Sequence, residues 1–502
     1  VTVISPRSFL NCISLESVTV PTSLKTFGAY AQGDIFEGCK NLKEVHITDI
    51  KAWCEIDFQS GNPLSHANAL FVNGALTTDI VLPEGLTAIG QSAFSGYTAM
   101  TSITIPKSLT YIGPSAFYKC KPDVYIEDIG AWLNIEFNSS NPTSNGGSLY
   151  VNGLLLTELI IPDGVSTIPE NAFSGNKNIK TVIIPEGVTH IGKAAFSNCK
   201  GLSSVNFPDS LVSIGEEAFI YCEKLKSFYL PADLETIGQN AFLVSYYPEI
   251  DIHIKDLTNW CKMQYVSLPS GYSLYLNGAL VTDLSIPQGI EIIPNGAFYG
   301  CRSIVSVTMP NTVKEIGSRS FGNCANLKTV VFPSTLTTIN TSAFSGCDSL
   351  VISSLPESLT SIASGAFVGC TFKDFTLNAK FAEFEGLMRG TKIEGLIFAP
   401  DVTVISKAMF SDTNISSIEI PEGVVEIGEN AFMNCKLLNA VTFPSTLTRI
   451  GNGAFSGCTA LKDVILPKGI KTVSMSAFNG CTSLTEIAFD DGLETIGASA
   501  FS

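Results

Sequence analysis

Fourteen cysteines are the most reactive side chains that this chain of 502 residues offers. Disulfide bonds or a metal site would need paired spacings such as Cys-x-x-Cys, and the chain has none. Twelve of the cysteines instead follow a phenylalanine by three residues, while Cys54 and Cys261 each follow a tryptophan directly. We therefore expect buried, unpaired thiols that behave as small apolar side chains.

Serine and histidine are the next candidates, because both serve nucleophilic catalysis. The segments that begin at Gly90, Gly113 and Gly497 read Gly-x-Ser-Ala-Phe, so they start like the Gly-x-Ser-x-Gly turn of hydrolases but end in Phe. The chain has four histidines without metal-ligand spacing: His46, His66, His190 and His253. The sequence predicts no catalytic residue, no cofactor-binding residue, no metal site and no cofactor.

Acidic residues recur at intervals of 23 residues in two places. Asp463 and Glu486 are expected on adjacent coils of a repeat, where paired carboxylates would suit glycoside hydrolysis. Asp163, Glu186 and Asp209 form a second row, which would suit a cation such as Ca²⁺. For both rows we favour a solvated acidic surface, since repeated turns and strand faces are usually exposed.

Charge and composition exclude several classes of protein. The 30 basic and 46 acidic residues give a net charge of −16, which leaves no electrostatic footprint for nucleic acid or an anionic membrane. With 45% hydrophobic residues the chain is not of the disordered class. No apolar stretch is long enough to span a bilayer. The chain opens at Val1 without a signal peptide, so we expect a piece of a longer protein whose targeting and anchoring segments lie elsewhere.

The elements that position these residues come from a repeat of 23 residues. Phenylalanine marks it in four runs: Phe94 and Phe117; Phe173, Phe196, Phe219 and Phe242; Phe298, Phe321, Phe344 and Phe367; Phe432, Phe455, Phe478 and Phe501. In the coil from Cys199 to Cys222, the alternating segment around Val205 predicts a short strand that Pro208 ends. Apolar residues then return at intervals of three and four, which predicts a short helical or 3₁₀ segment. Four residues are added around Tyr30.

Three inserts interrupt the repeat, at approximately residues 45–80, 124–159 and 252–284. Each has an Asp that can cap a short helix, a Trp four residues later and an Asn-Gly pair between apolar runs, which is a hairpin signal. The chain's only tryptophans are Trp53, Trp132 and Trp260. We expect each to be buried under its own hairpin, because its apolar surface is large. A degenerate coil is expected at approximately residues 371–398.

The consensus Leu-x-x-Val-x-(Ile/Phe)-Pro-x-x-(Leu/Val)-x-x-Ile-Gly-x-x-Ala-Phe-x-x-Cys resembles the BspA-type leucine-rich repeat over nearly the whole chain. The resemblance implies an α/β, β-rich solenoid of about eighteen coils with three helix-plus-hairpin inserts, forming a single body over residues 1–502. Proteins of that family are mostly cell-surface molecules of host-associated anaerobic bacteria and some mucosal protists, several of them linked to adhesion. The resemblance carries over no residue as a binding site.

The function expected on this basis is a non-catalytic, cell-surface or secreted binding and adhesion protein. Its expected partner is an extracellular protein or glycan, as a long repeat surface suits large ligands. We expect a monomer that binds no nucleic acid. Two alternatives remain: a passive spacer that holds other domains, and a solenoid enzyme that degrades polysaccharides. The sequence leaves the ligand-binding residues unknown.

Overall fold

The building element of the fold is a coil of about 23 residues with two short strands. Each strand pairs in parallel with the corresponding strand of the neighbouring coil. The computed structural model describes residues 1–28, 34–59, 61–244, 249–263 and 268–502. The residues added around Tyr30 and residues 264–267 of the third insert lie outside this part. Backbone contacts divide the chain into two units, Val1–His253 with Ser267–Pro269 and Ile254–Val266 with Ser270–Ser502. Each unit is a β-rich stack of coils, and the single body expected for residues 1–502 stays a prediction.

The first strand of a regular coil carries a central apolar residue, buried or half-buried, between two residues that face out. In the coil from Cys199 to Cys222, Val205 is buried between Ser204 and Asn206. The first strands are Ser17–Thr19, Glu44–Ile47, Ala69–Val72, Asp79–Val81, Ser102–Thr104, Asp123–Ile126, Leu149–Val151, Glu158–Ile160, Thr181–Ile183, Ser204–Asn206, Ser227–Leu230, Ile250–Ile254, Tyr272–Leu276, Asp283–Ser285, Ser306–Thr308, Thr329–Val331, Val351–Ile352, Thr371–Leu377, Lys392–Phe398, Ser417–Glu419, Ala440–Thr442, Asp463–Ile465 and Glu486–Ala488.

A second strand of two residues follows the proline-containing turn, and the sequence analysis did not anticipate it. The second strands are Val3–Ile4, Thr26–Phe27, Asp57–Phe58, Ala88–Ile89, Tyr111–Ile112, Glu136–Phe137, Thr167–Ile168, His190–Ile191, Ser213–Ile214, Thr236–Ile237, Ile292–Ile293, Glu315–Ile316, Thr338–Ile339, Ser361–Ile362, Val404–Ile405, Glu426–Ile427, Arg449–Ile450, Thr472–Val473 and Thr495–Ile496. Gly215 follows one of them, at a point where a Cβ would lie 2.7 Å from the backbone carbon of Gly192. Glycine there lets neighbouring coils approach closely.

The return segment is a run of turns, so the expected helical or 3₁₀ segment is wrong. Glu217 and Tyr221 have φ of 56° and 58°, in the left-handed region that ends any right-handed helix after a few residues. Three N–H groups of the segment, those of Glu217, Phe219 and Tyr221, donate to carbonyls of the next coil at 2.7–2.9 Å. The return segment is thereby hydrogen-bonded from coil to coil, much as the strands are.

The core of each unit is a column of stacked phenylalanine rings. In the first unit the centroid distances from Phe173 through Phe196 and Phe219 to Phe242 are 5.4, 5.1 and 5.3 Å. In the second unit the distances between successive rings from Phe432 through Phe455 to Phe478 are 4.9 and 5.2 Å. Such columns bury apolar surface that a single coil cannot bury alone.

Helices are few and short in the described part of the chain. There are four α-helices, which we label α1 (Ile50–Cys54), α2 (Ile129–Leu133), α3 (Leu257–Trp260) and α4 (Ala379–Ala382), and a 3₁₀ turn at Pro63–Ser65. The first three lie in the inserts and begin after Asp49, Asp128 and Asp256, whose carboxylates accept N–H groups of the first helical turn. Each insert hairpin ends in a short antiparallel strand of two residues: Ala75–Leu76, Leu154–Leu155 and Ala279–Leu280.

The degenerate coil replaces the usual short strands with a longer pair. Strands Thr371–Leu377 and Lys392–Phe398 pair in parallel over six residue pairs, with α4 between them in the chain. Phe372, Phe375 and Phe381 fill the interior of this coil, and buried Met388 takes the place of the repeat phenylalanine, its N–H donating to the carbonyl of Met409.

Candidate binding surface

The outward side of the first strands is the most regular exposed surface of each unit, and we call it the first-strand face. On a regular coil it carries small polar residues, as at Ser204 and Asn206. Their parallel neighbours in the preceding coil are Thr181 and Ile183. A surface of this kind is flat and has little charge, which suits a broad contact with a macromolecule better than a deep pocket for a small one.

At the second insert the first-strand face changes character. Five residues follow one another across a single sheet in register, in the order Val81, Thr104, Tyr125, Tyr150 and Leu155. We call this row the tyrosine patch. Val81 and Leu155 are 68% and 42% exposed, and the two tyrosines are half-buried. The hairpin that ends in Leu155 therefore extends an apolar and aromatic strip into solvent.

The other two inserts repeat this pattern of rings. In the first insert His46 lies beside Phe71 with a centroid distance of 4.7 Å, and Leu76 stands opposite Phe71 in the hairpin. In the first unit Tyr229 also stacks on His253 at 4.3 Å, at the start of the third insert. The same sequence signal marks all three places, an acidic residue two positions before the ring: Glu44 before His46, Asp123 before Tyr125 and Asp251 before His253.

The tryptophans of the inserts are buried, as expected, and each donates a hydrogen bond that the sequence did not reveal. In a regular coil the N–H of the repeat phenylalanine donates to the carbonyl of the residue before the next phenylalanine, as from Phe173 to Ala195. An insert has no such phenylalanine. The indole Nε1 of Trp132 donates instead to the carbonyl oxygen of Ala172 at 3.0 Å. Trp53 and Trp260 do the same to Ala93 and Ala297.

Asparagine side chains attach the insert loops in a similar way. Asn62 donates to the carbonyls of Ser92 and Ala93, and Asn141 donates to those of Asn171 and Ser174. The contacts satisfy backbone carbonyls at the first coil after each insert, where a polar group without a partner would destabilise the fold. The tryptophans and asparagines hold the inserts in place and leave the hairpins to face solvent.

The cysteines lie where the sequence predicts, with one addition. All fourteen are unpaired, and all except Cys12 are buried. Ten of the thiols also donate hydrogen bonds to phenylalanine carbonyls of the preceding coil, as from Cys222 to Phe196 at 3.2 Å. Burial raises the pKa of Cys222 to about 12 and that of Cys120 to about 11. These thiols stay protonated at neutral pH and are poor nucleophiles.

The acidic pair that the sequence singled out does meet on adjacent coils. Asp463 and Glu486 stand opposite each other in a parallel pair of strands, and both are exposed on the open first-strand face. Elsewhere on this face, hydrogen bonds from the hydroxyls of Ser102 and Thr101 lower the pKa of Asp79. Hydroxyls of Ser306 and Thr282 lower the pKa of Asp283 in the same way. The carboxylates of Asp79 and Asp283 are therefore ionised at neutral pH.

In the second acidic row, Glu186 binds the backbone of the next coil. Glu186 accepts the N–H groups of Asp209 and Ser210 in the turn of the next coil, at 3.1 and 3.2 Å. Across the described ranges, no group of three or more His, Cys, Asp or Glu residues is arranged to hold a metal ion.

The serine and histidine signals have structural explanations. Ser92 and Ser115 both have φ of 56° and lie two residues before a repeat phenylalanine, in the left-handed region. Asn171, Ala194 and Glu217 occupy the same position in other coils. The position therefore selects a backbone conformation and not a hydroxyl. The histidines are dispersed: His66 pairs with Asp34 at 2.6 Å, His46 with Glu44 at 3.0 Å, and His190 with the hydroxyl of Thr189 at 2.7 Å.

One open cavity brings together charges of both signs, which the sequence analysis missed. It has a volume of about 750 Å³ beside the second insert, and its walls include Glu136, Glu170, Lys193 and Glu217. Lys193 is engaged in an ion pair with Glu216 at 2.7 Å. The residues come from four successive coils, so only the stacking of the coils reveals that they meet.

Repeated coils with parallel first strands and a phenylalanine column define a leucine-rich-repeat solenoid. The BspA type leucine-rich repeat region (6 copies) matches residues 64–127, 146–267, 271–388 and 389–502. Because these segments make up well over half of the chain, the chain belongs to the BspA-type leucine-rich repeat family. Members of this family are repeat proteins that are generally non-catalytic.

Several solved structures are similar to this chain. A leucine-rich repeat protein from Bacteroides ovatus is 27% identical, with 68% of this chain and 84% of that chain covered and a TM-score of 0.42. A leucine-rich cell surface protein from Faecalibacterium prausnitzii is 22% identical, with 82% and 88% covered and a TM-score of 0.31. No curated protein matches the chain. Throughout the described residues, no helix is long and apolar enough to cross a membrane.

Proposed function

We propose that this chain is a non-catalytic recognition protein, displayed on a cell surface or secreted, that binds an extracellular protein or glycan through its first-strand face. It acts as a monomer and binds no nucleic acid or cofactor. The exposed aromatic and apolar rows at the inserts carry the proposal. Soluble proteins seldom leave such residues in contiguous exposed rows unless a partner covers them.

Membership of the BspA-type family supports the extracellular location. Several surface proteins of that family are linked to adhesion. A net charge of −16 disfavours nucleic acid and anionic lipid as partners.

Binding of the purified chain to an array of extracellular-matrix proteins and mucin-type glycans, at physiological salt, tests the proposal. Two double variants with the same added charge locate the surface. Thr104→Arg with Thr308→Arg places bulky charges on the first-strand face of both units, whereas Ser95→Arg with Ser345→Arg places them in return turns. We expect saturable binding that the first variant weakens at least tenfold and the second leaves unchanged.

Two outcomes contradict the proposal in different ways. Absence of saturable binding to any member of the array favours the passive spacer. Equal loss of binding in both variants removes the first-strand face as the working surface.

The polysaccharide-degrading alternative has its own test at the cavity lined by Glu136 and Glu170. A reducing-sugar assay over a panel of polysaccharides should show no product with the wild-type chain. Product that disappears in Glu136→Gln and Glu170→Gln would restore the enzyme.

A further inference from the structure

The tyrosine patch has neighbours of a definite charge. Asp79 and Asp123 lie on the same side of the sheet, two residues before Val81 and Tyr125 in their strands, and both flank Ser102 in register. The five strands that form the patch contain no lysine or arginine. The patch is therefore an apolar and aromatic row beside an acidic row.

Hydrogen bonds hold the carboxylate of Asp79 in its charged form. Both Thr101 and Ser102 donate to one carboxylate oxygen of Asp79 at 2.6 Å, which lowers its pKa. The negative charge of Asp123 raises the pKa of Tyr150, so the phenol of Tyr150 keeps its proton. Asp123 also accepts the backbone N–H of Ser148 at 3.2 Å, which orients its carboxylate beside the two rings.

The geometry of the rings decides between a sugar and a protein as the partner. Tyr125 and Tyr150 are stacked, with centroids 4.7 Å apart and an interplanar angle of 15°. Each ring therefore covers one face of the other, and Thr104 and Leu155 stand beside the two outer faces in the register. A sugar that stacks on an aromatic residue needs an open ring face, and in this pair each ring covers one face of the other.

We propose that the tyrosine patch, with Asp79 and Asp123, is the contact site for a protein partner that presents lysine or arginine beside aliphatic side chains. This proposal rests on the recognition function proposed above and names the chemistry of its partner. Tyrosine gives large contact area at small entropic cost, and tyrosines at the centre of a contact often dominate its binding energy. The acidic row selects basic partners and speeds their association. Val81 and Leu155, at the two ends of the row, supply the apolar contact.

An array of synthetic peptides and oligosaccharides tests the proposal with the full chain. The probes are extended peptides that alternate lysine with leucine or valine, matched peptides with glutamate for lysine, matched peptides with serine for leucine or valine, and neutral and sialylated oligosaccharides. We expect saturable binding of the lysine–aliphatic peptides alone, which weakens as salt is raised because ions screen the charges.

Variants then assign the site. Tyr125→Thr with Tyr150→Thr keeps strand-forming residues, as at Thr104, and should weaken peptide binding at least tenfold. Asp79→Asn with Asp123→Asn should weaken it less and remove most of its salt dependence. Tyr118→Ala, which removes a 55% exposed tyrosine from a return turn, is the matched control and should change nothing. Circular dichroism of each variant confirms that it folds.

The outcomes separate this proposal from the proposed function. Binding of oligosaccharides alone, binding that the patch variants leave intact, or equal binding of lysine and glutamate peptides overturns the tyrosine patch as a basic-protein site. If the matrix-protein array still gives a saturable ligand in those cases, the recognition function stands with another surface. If no probe binds and the matrix-protein array is also silent, both proposals fail.

Discussion

The regular coil from Cys199 to Cys222 and the second insert solve the same structural problem with different residues. In the regular coil, the N–H of Phe219 donates to the carbonyl of Ala241, and the ring of Phe219 joins the core column. In the insert, the indole of Trp132 supplies the hydrogen bond to Ala172 and packs 5.0 Å from the ring of Phe137. The hydrogen bond to the next coil and a buried aromatic ring are thus both kept where the insert interrupts the repeat.

The two regions differ on the outside. The regular coil presents Ser204 and Asn206 on the first-strand face, while the insert presents stacked tyrosines and a hairpin that ends in exposed leucines. Because one buried tryptophan preserves the core, an insert can change the surface without disturbing the stack. We infer that the repeat makes the stack of coils rigid and that the inserts determine which ligand the first-strand face binds.

Removal of Trp132 should cause the largest change, a loss of local stability in the second insert. Trp132→Ala opens a cavity and leaves the Ala172 carbonyl without its donor, so the local free energy of unfolding should fall by about 3–5 kcal/mol, as for Phe196→Ala. Trp132→Phe keeps the ring but loses the N–H, at about 1–3 kcal/mol. Native-state hydrogen exchange of the coils on either side measures both. A loss below about 1 kcal/mol for Trp132→Ala would show that the insert is not anchored by this residue.

Thiol chemistry should separate the buried column from the surface. At about pH 8, a thiol reagent should modify Cys12 rapidly and the thirteen buried cysteines slowly, since burial raises the pKa of residues such as Cys222 to about 12. In concentrated denaturant without reductant, all fourteen should react. Fewer reactive thiols in denaturant would reveal disulfide bonds and overturn the unpaired column.

The same thiols predict how stability depends on pH. The folded pKa of Cys222 is raised above its ordinary value of 9.0, so the folded state binds this proton more tightly than the unfolded state. Stability is therefore fully present below about pH 9 and falls as the pH rises toward about 12. Cys222→Ala should flatten this fall in alkaline melting curves, and an unchanged slope would contradict it.

The pair of His66 and Asp34 should have a smaller effect, confined to the first insert. The hydrogen bond to Asp34 raises the pKa of His66. Burial alone would raise the pKa of Asp34, but the hydrogen bonds from His66 and from the backbone N–H of Phe36, together with the charge of His66, outweigh it and lower that pKa. The contact is complete between about pH 3.8 and 6.5, and it weakens as the pH rises through the raised pKa of His66 or falls through the lowered pKa of Asp34.

Because the pair is partly exposed to solvent, its contribution is about 0.5 kcal/mol or less. The protection factors of the Leu64 and Ser65 amides, which remove the intrinsic pH dependence of hydrogen exchange, should fall slightly above neutral pH in the wild type. In His66→Asn this pH dependence should be absent, and its persistence would exclude the pair as the cause.

The smallest effect is expected at Asp463 and Glu486. Like charges directly opposite each other repel, so Asp463→Asn should raise the melting temperature by about 1 °C, and added salt should erase the difference. Asp463→Asn with Glu486→Gln should leave peptide binding at the tyrosine patch unchanged, because the pair lies in another sheet. Loss of activity on a polysaccharide in this double variant would turn the solvated pair into a catalytic one.

The sequence predicted what depends on one coil and its copies. The 23-residue spacing of phenylalanine, the cysteines three residues later and the Asp-Trp and Asn-Gly signals of the inserts led to the solenoid, the buried thiols, the helices and the hairpins. The register of Asp463 and Glu486 followed from the same spacing. These features repeat, so each copy strengthens the prediction.

Features that depend on contacts between unlike segments were not predictable. The return turns read as helical because spacings of three and four do not distinguish a helix from turns with left-handed residues such as Glu217. The bond from Trp132 to Ala172 joins residues 40 apart through an insert of irregular length. The tyrosine patch needs the pairing of an insert strand with its hairpin, which only the three-dimensional register provides.

Hydrogen exchange of the chain, alone and saturated with the tightest ligand from the matrix-protein array, tests the central claim most directly. We expect slower exchange in the strands that form the tyrosine patch, from Asp79–Val81 to the hairpin strand Leu154–Leu155. Exchange in the return turns around Phe117 and Phe173 should be unchanged. Protection confined to return turns or second strands would contradict it, because the inserts would then be structural insertions without a part in recognition.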